Sequence, residues 1–283
     1  MSKIYGVDET IQESITQLCL DSDGQPELLP TGFREVDETI GGLGPGSCGI
    51  LAASTGVGKS SAMLHAMLSS PIKVGCVNLE DTPDVVGTRL LAALTGIDSL
   101  RIRRKALTKA ELKRLNKVNT KSVQHMCFTY PTAGSIAHVE QSIIALREAG
   151  CRVIWVDYIQ EIRGHKDDRR NEVAVALQLC HRAAASPDVC DAPPSALMAV
   201  SQFHRLRDDQ VPGIHNLAES GDLERKARVI LLAYKQHSPD KGARVRFKLA
   251  KSTYGGEFCK FDMVRDESGT LRPAVYYDVK EGF

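Results

Sequence analysis

The chain has 283 residues, of which 42% are hydrophobic and 25% are charged, as is usual for a folded globular protein. Its 36 Lys and Arg against 35 Asp and Glu give a net charge of +1, which excludes a strongly basic coat protein but not a local nucleic-acid-binding surface. The eight cysteines are scattered without a C-x-x-C pair, and no signal peptide is evident, so we expect reduced thiols in a cytoplasmic protein. No apolar run reaches the ~18 residues of a membrane helix, so we expect no membrane partner.

Residues 1–30 differ in composition from the rest of the chain. They hold six acidic residues against one lysine, and their apolar residues recur at steps of three and four, which predicts an acidic amphipathic helix followed by a linker. This helix packs either on its own domain or on a neighbouring subunit. We therefore divide the chain into an N-terminal helix and linker, 1–30, and a main domain, 31–283.

The main domain alternates apolar strand patterns with helical patterns, which predicts an α/β fold with a mostly parallel central sheet. The strands are expected at Ser47–Ala53, Lys73–Leu79, Val123–Phe128, Cys151–Val156 and Ala196–Ser201. The helices are expected at Lys59–Ser69, Pro83–Thr95, Ser135–Ala149 and Asn171–Ala185. Further strands follow one another at the end of the chain, which predicts a C-terminal β-hairpin extension of the sheet. These are Val229–Lys235, Arg244–Lys251, Glu257–Val264 and Ala274–Val279.

The strongest motif is a phosphate loop between the first predicted strand and the first helix. It reads Ala53-Ser54-Thr55-Gly56-Val57-Gly58-Lys59-Ser60, with Ala53 in place of the first glycine of the usual G-x-x-x-x-G-K-[ST] pattern. Gly56 and Gly58 allow the backbone N–H groups to point at phosphate oxygens, and the helix N-terminus adds partial positive charge. Lys59 is placed to reach the β- and γ-phosphates, and the Ser60 hydroxyl to bind Mg²⁺. The predicted nucleotide-binding set runs from Ala53 to Ser61, with ATP and Mg²⁺ as cofactors.

Three polar residues follow other predicted strands and are candidates for the chemistry of the site. Asp157 ends a buried strand, where ligands bind in open α/β sheets, and we predict that it anchors Mg²⁺. Glu80 follows the strand after the phosphate loop and would orient the attacking water. Gln202 ends a third strand, and its amide can contact the γ-phosphate as donor and acceptor. Alternatively, Asp157 only caps a turn, Glu80 is a surface acid, and the Gln202 amide takes no part in the site.

The ordered motifs resemble the motor domain of DnaB-type replicative helicases. The resemblance extends from about Thr31 to about Val264, and the Ala53 variant of the phosphate loop is also similar to that family. The motifs that carry it are Thr31-Gly32-Phe33 with Asp37, Gly41–Gly46, Asn78–Asp81 with Arg89, Asp157–Gln160, Ser201–Arg205 and Glu219–Glu224.

The resemblance implies a RecA-like ATPase that forms a ring, usually a hexamer, with ATP between subunits and single-stranded DNA in the central channel. Glu80, Asp157 and Gln202 would take the roles given above, and Arg89 would join the nucleotide site. A primase or a helicase loader would be a partner, although the family's large N-terminal domain has no counterpart before residue 31. The stretch 1–20 resembles the helix by which one subunit docks on the next. Two loops, about 162–170 and 206–221, would reach DNA through Arg163, Lys166, Arg169, Arg170, Arg205, Arg207, Glu219 and Gly221.

One departure from the family pattern concerns catalysis. Lys251 is present, but Thr253 occupies the position of the arginine that reaches a neighbour's γ-phosphate. Either Lys251 suffices, or Arg244 or Arg246 substitutes, or turnover is slow, because an arginine finger contributes ~10³–10⁵ in rate. The expected function is therefore an ATP-dependent DNA helicase or translocase. The alternative is a nucleotide-switched assembly protein that binds single-stranded DNA or regulates a helicase, and a metabolic P-loop kinase is a third.

The segment Arg101–Lys121 is conspicuously basic. It holds nine Lys and Arg residues and a single acid, Glu111, which with Thr108 makes the capping-box pattern of a helix start. A solvated helix face is one interpretation. The other is a surface for DNA or for an acidic partner, such as the N-terminal segment of another protomer.

Overall fold

The structure is a computed structural model and describes residues 7–8, 28–131, 134–163, 169–203, 211–217, 220–236, 244–256 and 258–274. Within these ranges the chain forms a single nine-stranded sheet covered by helices, in the order β3-β2-β4-β5-β1-β6-β7-β8-β9. The strands are β1 Cys48–Ala53, β2 Val74–Asn78, β3 Met126–Thr129, β4 Val153–Asp157, β5 Ala196–Gln202, β6 Val229–Gln236, β7 Arg244–Ser252, β8 Lys260–Arg265 and β9 Leu271–Pro273.

The helices lie mainly between the parallel strands. They are α1 Arg34–Ile40, α2 Lys59–Ser69, α3 Pro83–Thr95, α4 Ser99–Arg103, α5 Lys109–Leu115, α6 Ile136–Glu148, α7 Arg169–Ala185 and α8 Ser220–Lys226. Short 3₁₀ turns occur at Thr120–Val123, Ile159–Glu161 and Ile214–Asn216. In the part of the chain given above, no helix is long and apolar enough to cross a membrane.

The sheet separates two apolar clusters, one on each face. One contains Phe33, Trp155 and Phe247, and the other contains Ile143 and Leu177. Every residue of the central strands β1, β2 and β4 is buried, as strands covered on both faces require. This explains why their sequences are continuous apolar runs and confirms the predicted α/β fold with its mostly parallel sheet and C-terminal antiparallel extension.

The entry to the main domain is fixed by the Thr31-Gly32-Phe33 motif. The Asp37 carboxylate accepts hydrogen bonds from the Thr31 N–H (2.8 Å), the Thr31 hydroxyl (2.7 Å) and the Gly32 N–H (3.2 Å). Gly32 has φ +85°, and a Cβ there would lie 2.1 Å from the Ala66 carbonyl oxygen, so only glycine fits. Just before this motif, Leu29 is buried and pairs with Leu43. The motif therefore anchors the chain on α2.

Most predicted elements are present, several with the predicted bounds. Helices Lys59–Ser69 and Pro83–Thr95 are confirmed residue for residue. The predicted strand at 257–264 starts only at Lys260, and the strand predicted at Ala274–Val279 lies outside the described residues apart from Ala274, which follows β9. Of the predicted N-terminal helix, only residues 7–8 are described, and they are helical.

Strand direction determines which residues share an edge of the sheet. Strands β1, β2, β4 and β5 are parallel, so their ends meet at one edge, which we call the carboxyl edge. Asn78 is beside Asp157, and Ala53 is beside Gln202, in the strand register. Since β6 is parallel to β1 and β7 runs the other way, Lys251 near the end of β7 lies at the opposite edge, the amino edge.

Candidate nucleotide-binding site

The phosphate loop connects β1 to α2 at the carboxyl edge. Gly56 (φ +74°) and Gly58 (φ +112°) are both left-handed, which bends the chain back over the start of the helix. Gly58 is the N-cap and supplies no side-chain bond to the first turn. The N–H groups at the start of α2 could therefore bind an anion.

Asp157 ends β4 beside this loop and is fully buried. Neither of its carboxylate oxygens has a hydrogen-bond partner of acceptable geometry among the described residues. Burial raises the pKa of Asp157 to about 6, while the neighbouring Ser60 hydroxyl and Lys59 ammonium act to lower it. A buried carboxylate without partners beside a serine hydroxyl suits a hard cation such as Mg²⁺, so the residues present fit the predicted metal.

No group of three or more His, Cys, Asp or Glu side chains forms a metal cage within the described ranges. A Mg²⁺ ion usually needs only one or two protein ligands, because water and substrate phosphates complete its shell. Ser60 and Asp157 would be the protein's two ligands.

Glu80 lies at the same edge in a turn organised by Asn78. The Asn78 side-chain oxygen accepts hydrogen bonds from the N–H groups of Glu80 (3.2 Å) and Asp81 (2.8 Å), and the Glu80 side chain is exposed. Asp81 in turn is paired with Arg89 on α3. The turn therefore separates the two acids, with Asp81 bound to Arg89 and Glu80 directed away from the core.

Gln202 contacts the phosphate loop directly. Its side-chain amide donates a 2.6 Å hydrogen bond to the Thr55 hydroxyl. On the other side of the loop, the Lys59 ammonium lies 5.6 Å from the centre of the Tyr158 ring, within cation–π range. The structure thus brings Lys59, Gln202, Glu80 and Asp157 to one edge.

Lys251 does not join this group. At the amino edge its ammonium donates a 2.6 Å hydrogen bond to the Glu224 carbonyl of α8, and the nearby Thr253 N–H bonds to the Arg228 carbonyl. Arg246, one of the candidate replacements for the missing arginine, makes a two-bond contact with the buried Asp262 carboxylate on β8, at 2.7 and 2.9 Å. Arg246 is therefore committed within its own sheet.

Arg265 is a residue of the site that sequence reasoning missed. From the end of β8 its guanidinium donates to the Val57 carbonyl (3.5 Å), the Ser61 hydroxyl (3.3 Å) and the Gly269 carbonyl (2.8 Å). A small cavity of about 30 Å³ lies alongside, lined by Ser61 and Arg89 among others. Burial and the nearby Arg89 lower the pKa of Arg265. Only its place opposite the loop in the folded sheet identifies it, since 207 positions separate Gly58 from Arg265 in the chain.

Only some of the predicted DNA-binding residues lie within the described part of the chain. Arg163 is exposed, and its backbone pairs with Ser135 and Gly134 at the carboxyl side of β4. Arg169 and Arg170 begin α7, and Gly221 lies in α8, so the predicted loops end earlier than the expected 170 and 221. The predicted Lys166, Arg205, Arg207 and Glu219 lie outside the described residues.

The basic segment forms the predicted helix with its capping box. Thr108 and Glu111 exchange both capping hydrogen bonds at the start of α5, and Arg101 pairs with Glu111. No residue of α4 or α5 is buried, and Leu100 and Leu112 are both nearly half exposed among the basic side chains. Glu111, the single acid of the segment, is therefore bound to residues of the segment itself, and the outer surface is basic.

A strand, a phosphate loop and a helix, with an aspartate at the end of a neighbouring parallel strand, define a P-loop nucleotide-binding protein of the α/β class. Comparison with known proteins gives the family: the profile of the DnaB-like helicase C-terminal domain matches residues 29–258. The chain belongs to this family.

Individual proteins that the chain resembles are also described as replicative DNA helicases. The chain is 26% identical over 242 residues to a protein of Chlamydia trachomatis serovar L2 described as a probable plasmid replicative DNA helicase, covering 82% of the chain and 52% of that protein. It is 28% identical over 226 residues to the replicative DNA helicase DnaB of Rickettsia bellii, covering 74% and 45%. The chain thus spans about half the length of these curated relatives.

A solved structure shares the fold. It belongs to a DnaB-like replicative helicase studied with its primase interactions, and it superposes with a TM-score of 0.76 at 20% identity, over 95% of this chain and 67% of the other. This likeness supports the RecA-like arrangement of the core.

Proposed function

We propose that the chain is the motor of an ATP-driven DNA helicase or translocase that assembles into a ring, typically a hexamer, in the cytoplasm. The observation that carries this proposal is the position of Lys251. It lies at the amino edge, whereas the phosphate loop lies at the carboxyl edge of the same sheet. If this lysine serves a γ-phosphate, as the family pattern implies, it can act only on the site of a neighbouring protomer, and the nucleotide would lie between subunits.

Within one protomer, each site residue has a distinct task. Lys59 and the amides of Gly56–Ser61 bind the triphosphate, and Ser60 with Asp157 holds Mg²⁺, which neutralises charge on the phosphates. Glu80, exposed at the carboxyl edge, orients the attacking water and accepts its proton. Gln202, next to Thr55, contacts the γ-phosphate. Arg89, which lines a small cavity beside Ser61, is the proposed further contact to the nucleotide.

Because Thr253 replaces the arginine that would reach a neighbour's γ-phosphate, another basic residue would have to supply that charge. Arg246 is bound to Asp262 and would have to break a two-bond contact with a buried carboxylate to act elsewhere. Arg244 lies at the carboxyl edge of its own protomer, the edge that carries its own phosphate loop. Lys251 is thus the candidate that the topology favours.

Single-stranded DNA would be bound in the centre of the ring by the residues after β4 and β5. The candidate residues are Arg163, Lys166, Arg169, Arg170, Arg205, Arg207, Glu219 and Gly221. Contacts of this kind bind the backbone, so DNA affinity should be independent of sequence and fall steeply with salt.

Charge complementarity supports the way in which the protomers assemble. The basic surface of α4 and α5 is exposed, and residues 1–30 carry six acids and one lysine. We infer that the acidic N-terminal segment of one protomer docks on a neighbour, with Leu100 and Leu112 available to its apolar residues. A primase or a helicase loader is the external partner that fits this function.

A second function is favoured by Thr253 specifically. Without the arginine, hydrolysis would be slow, and nucleotide binding would switch assembly on single-stranded DNA instead of driving unwinding. This alternative predicts ATP-dependent oligomers with little turnover.

The test is an ATPase assay with and without single-stranded DNA, together with a strand-displacement assay and size measurement of the protein with nucleotide. We expect DNA to stimulate turnover, and Lys59→Ala to lower it by orders of magnitude while thermal unfolding stays unchanged. Oligomers with neither stimulated turnover nor displacement would favour the switch. A protein that stays monomeric with nucleotide and DNA would contradict both functions.

A further inference from the structure

The end of β5 extends beyond its neighbouring strand. The paired residues of β4 and β5 end at Val156 and Ala199, yet β5 continues to Gln202. After Asp157, the segment that follows β4 turns away from β5 into the 3₁₀ turn Ile159–Glu161. The last residues of β5 therefore lack a strand on this side.

The side chain of Gln160 occupies the position of the missing strand. Its amide nitrogen donates to the Ser201 hydroxyl at 2.9 Å, and its oxygen accepts a hydrogen bond from the Gln202 N–H at 3.3 Å. Gln160 itself is buried. A primary amide has the donor and acceptor of a peptide group, so this side chain extends the ladder by one unit.

The contact continues from Gln160 to the phosphate loop. On the far side of β5, the Gln202 backbone is paired with Ala53 of β1, and its side chain donates to Thr55 at 2.6 Å. Gln202 is thus held by its backbone from both sides, and its amide is aimed at the loop that binds the triphosphate.

We infer that Gln160 is the positioning residue that aims Gln202 at the γ-phosphate, and so sets how well the site distinguishes ATP from ADP. This inference rests on the proposed function, because Gln202 has a γ-phosphate to contact only if the loop binds ATP. Gln160 does not touch the nucleotide. It acts by keeping the end of β5 fixed where β4 no longer supports it.

Removing the amide has a specific consequence. In Gln160→Ala the Gln202 N–H and the Ser201 hydroxyl lose a buried partner, so the end of β5 shifts to regain hydrogen bonds. The hydrogen bonds described above join Gln160 to the end of β5, whereas the amides of Gly56–Ser61 would bind the other phosphates. ADP affinity should then stay within about twofold, and affinity for a non-hydrolysable ATP analogue should fall roughly tenfold, the effect of one hydrogen bond to a charged group.

The experiment measures the binding of a fluorescent ADP and of adenylyl-imidodiphosphate to the full-length wild type and variants, followed by kcat and KM for ATP. We expect Gln160→Ala to lose most of the preference for the triphosphate and to lower kcat more than it changes KM. Gln141→Ala, the same change on the exposed face of α6, is the matched control and should behave as wild type. Gln160→Met keeps the length of the side chain without its hydrogen bonds and should reproduce the loss if Gln160→Ala does not fold.

A double-mutant cycle separates positioning from general stability. If Gln160 acts through Gln202, the double variant Gln160→Ala/Gln202→Ala should discriminate no worse than Gln202→Ala alone. Equal losses for ADP and the analogue, additive losses in the cycle, or an unchanged preference in both Gln160 variants would overturn the inference while leaving the proposed function standing. A wild type that binds neither nucleotide would overturn both.

Discussion

At the scale of single residues, Asp157 is held in a state that is unfavourable without a cation. It is fully buried, its oxygens have no hydrogen-bond partner among the described residues, and its pKa is raised to about 6 because burial disfavours the charged form. A carboxyl that is easier to protonate in the folded protein than in the unfolded one lowers stability as it ionises. The free energy of unfolding should therefore decrease as pH rises from about 4 to about 6.

Asp157→Asn tests this directly. The variant should not show that decrease and should be more stable than wild type at pH 7 without nucleotide, by up to about 3 kcal/mol for a pKa difference of about two units. Mg²⁺–ATP should stabilise the wild type more than the variant, because the variant keeps Lys59 and the loop amides but lacks the carboxylate for Mg²⁺. Urea denaturation at pH 4.5 and pH 7 measures this, with the exposed Asp191→Asn as control. A variant with the same pH dependence as wild type would show that another group is responsible.

Arg265 is a second residue with a defined contribution. Its guanidinium bonds to the Ser61 hydroxyl at the first turn of α2 and to the outer side of the phosphate loop at Val57. Loss of its charge in Arg265→Gln should weaken ATP and ADP alike by roughly tenfold, because the phosphates that they share lie nearest to α2. Fluorescent nucleotide titration checks this, with Arg272→Gln on β9 as the control. A loss confined to ATP would contradict it.

At the scale of elements, Arg147 joins α6 to the end of α7. It is 1% exposed, and its guanidinium donates to the carbonyls of Ala183, Ser186, Ala192 and Pro193, of which Ala183 lies in the last turn of α7 and Ser186 directly follows it. A cation there satisfies carbonyls that the helix leaves unpaired and opposes the helix dipole. The buried arginine therefore takes the place of a capping residue.

Arg147→Met keeps much of the apolar length but removes every donor. We expect it to lower the free energy of unfolding by roughly 3 kcal/mol or more, because several buried carbonyls lose their partner. Arg34→Met, an exposed change on α1, should alter stability by less than about 1 kcal/mol. Chemical denaturation of both proteins measures the difference, and equal small effects would show that water replaces the guanidinium.

The elements also show which features a sequence can predict. α2 and α3 were predictable because each begins at a recognisable boundary, after the phosphate loop or with proline in the first turn. α1 and α8 have only seven residues each, too short for a periodic signal. The N-cap of α1 is Phe33, without a side-chain capping bond, and Asp37 within the helix bonds back to Thr31 instead. Such a start lacks the usual Ser, Thr, Asp or Asn N-cap signal.

At the scale of the whole molecule, the two edges of the sheet separate the parts of the site. Lys59 lies at the carboxyl edge and Lys251 at the amino edge, so an active site would combine Lys59 of one protomer with Lys251 of the next. Neither Lys59→Ala nor Lys251→Ala should hydrolyse ATP by itself. Mixed at equal concentration, they should regain activity, because about a quarter of the interfaces then carry both lysines.

The control for this complementation is the double variant Lys59→Ala/Lys251→Ala mixed with Lys251→Ala. No interface in that mixture combines the two lysines, so it should stay inactive. ATPase measurements on both mixtures under the same DNA-stimulated conditions decide the matter. If the first mixture also stays inactive while both variants assemble and bind nucleotide, the shared site is contradicted.

Long-range contacts in the folded molecule determine how much of the site can be predicted from the sequence. Asp157, Glu80 and Gln202 could be proposed because each follows a strand whose end must lie near the phosphate loop. The tasks of Gln160 and Arg265 depend on contacts between distant positions, namely the unsupported end of β5 and the approach of β8 to α2. Strand order alone, with β8 three places from β1, gives no reason to expect the latter contact.

The β7–β8 hairpin has a consequence for the polarity of a closed ring. Arg265 touches its own protomer's phosphate loop, and Lys251 stands at the other end of the same hairpin, seven residues of β7 beyond Arg244, or about 24 Å. In the proposed ring, each hairpin would span from one nucleotide to the next and always with the same end forward. Every interface in that ring would have the same polarity, because each protomer would receive Lys251 from one neighbour and offer its own Lys251 to the other.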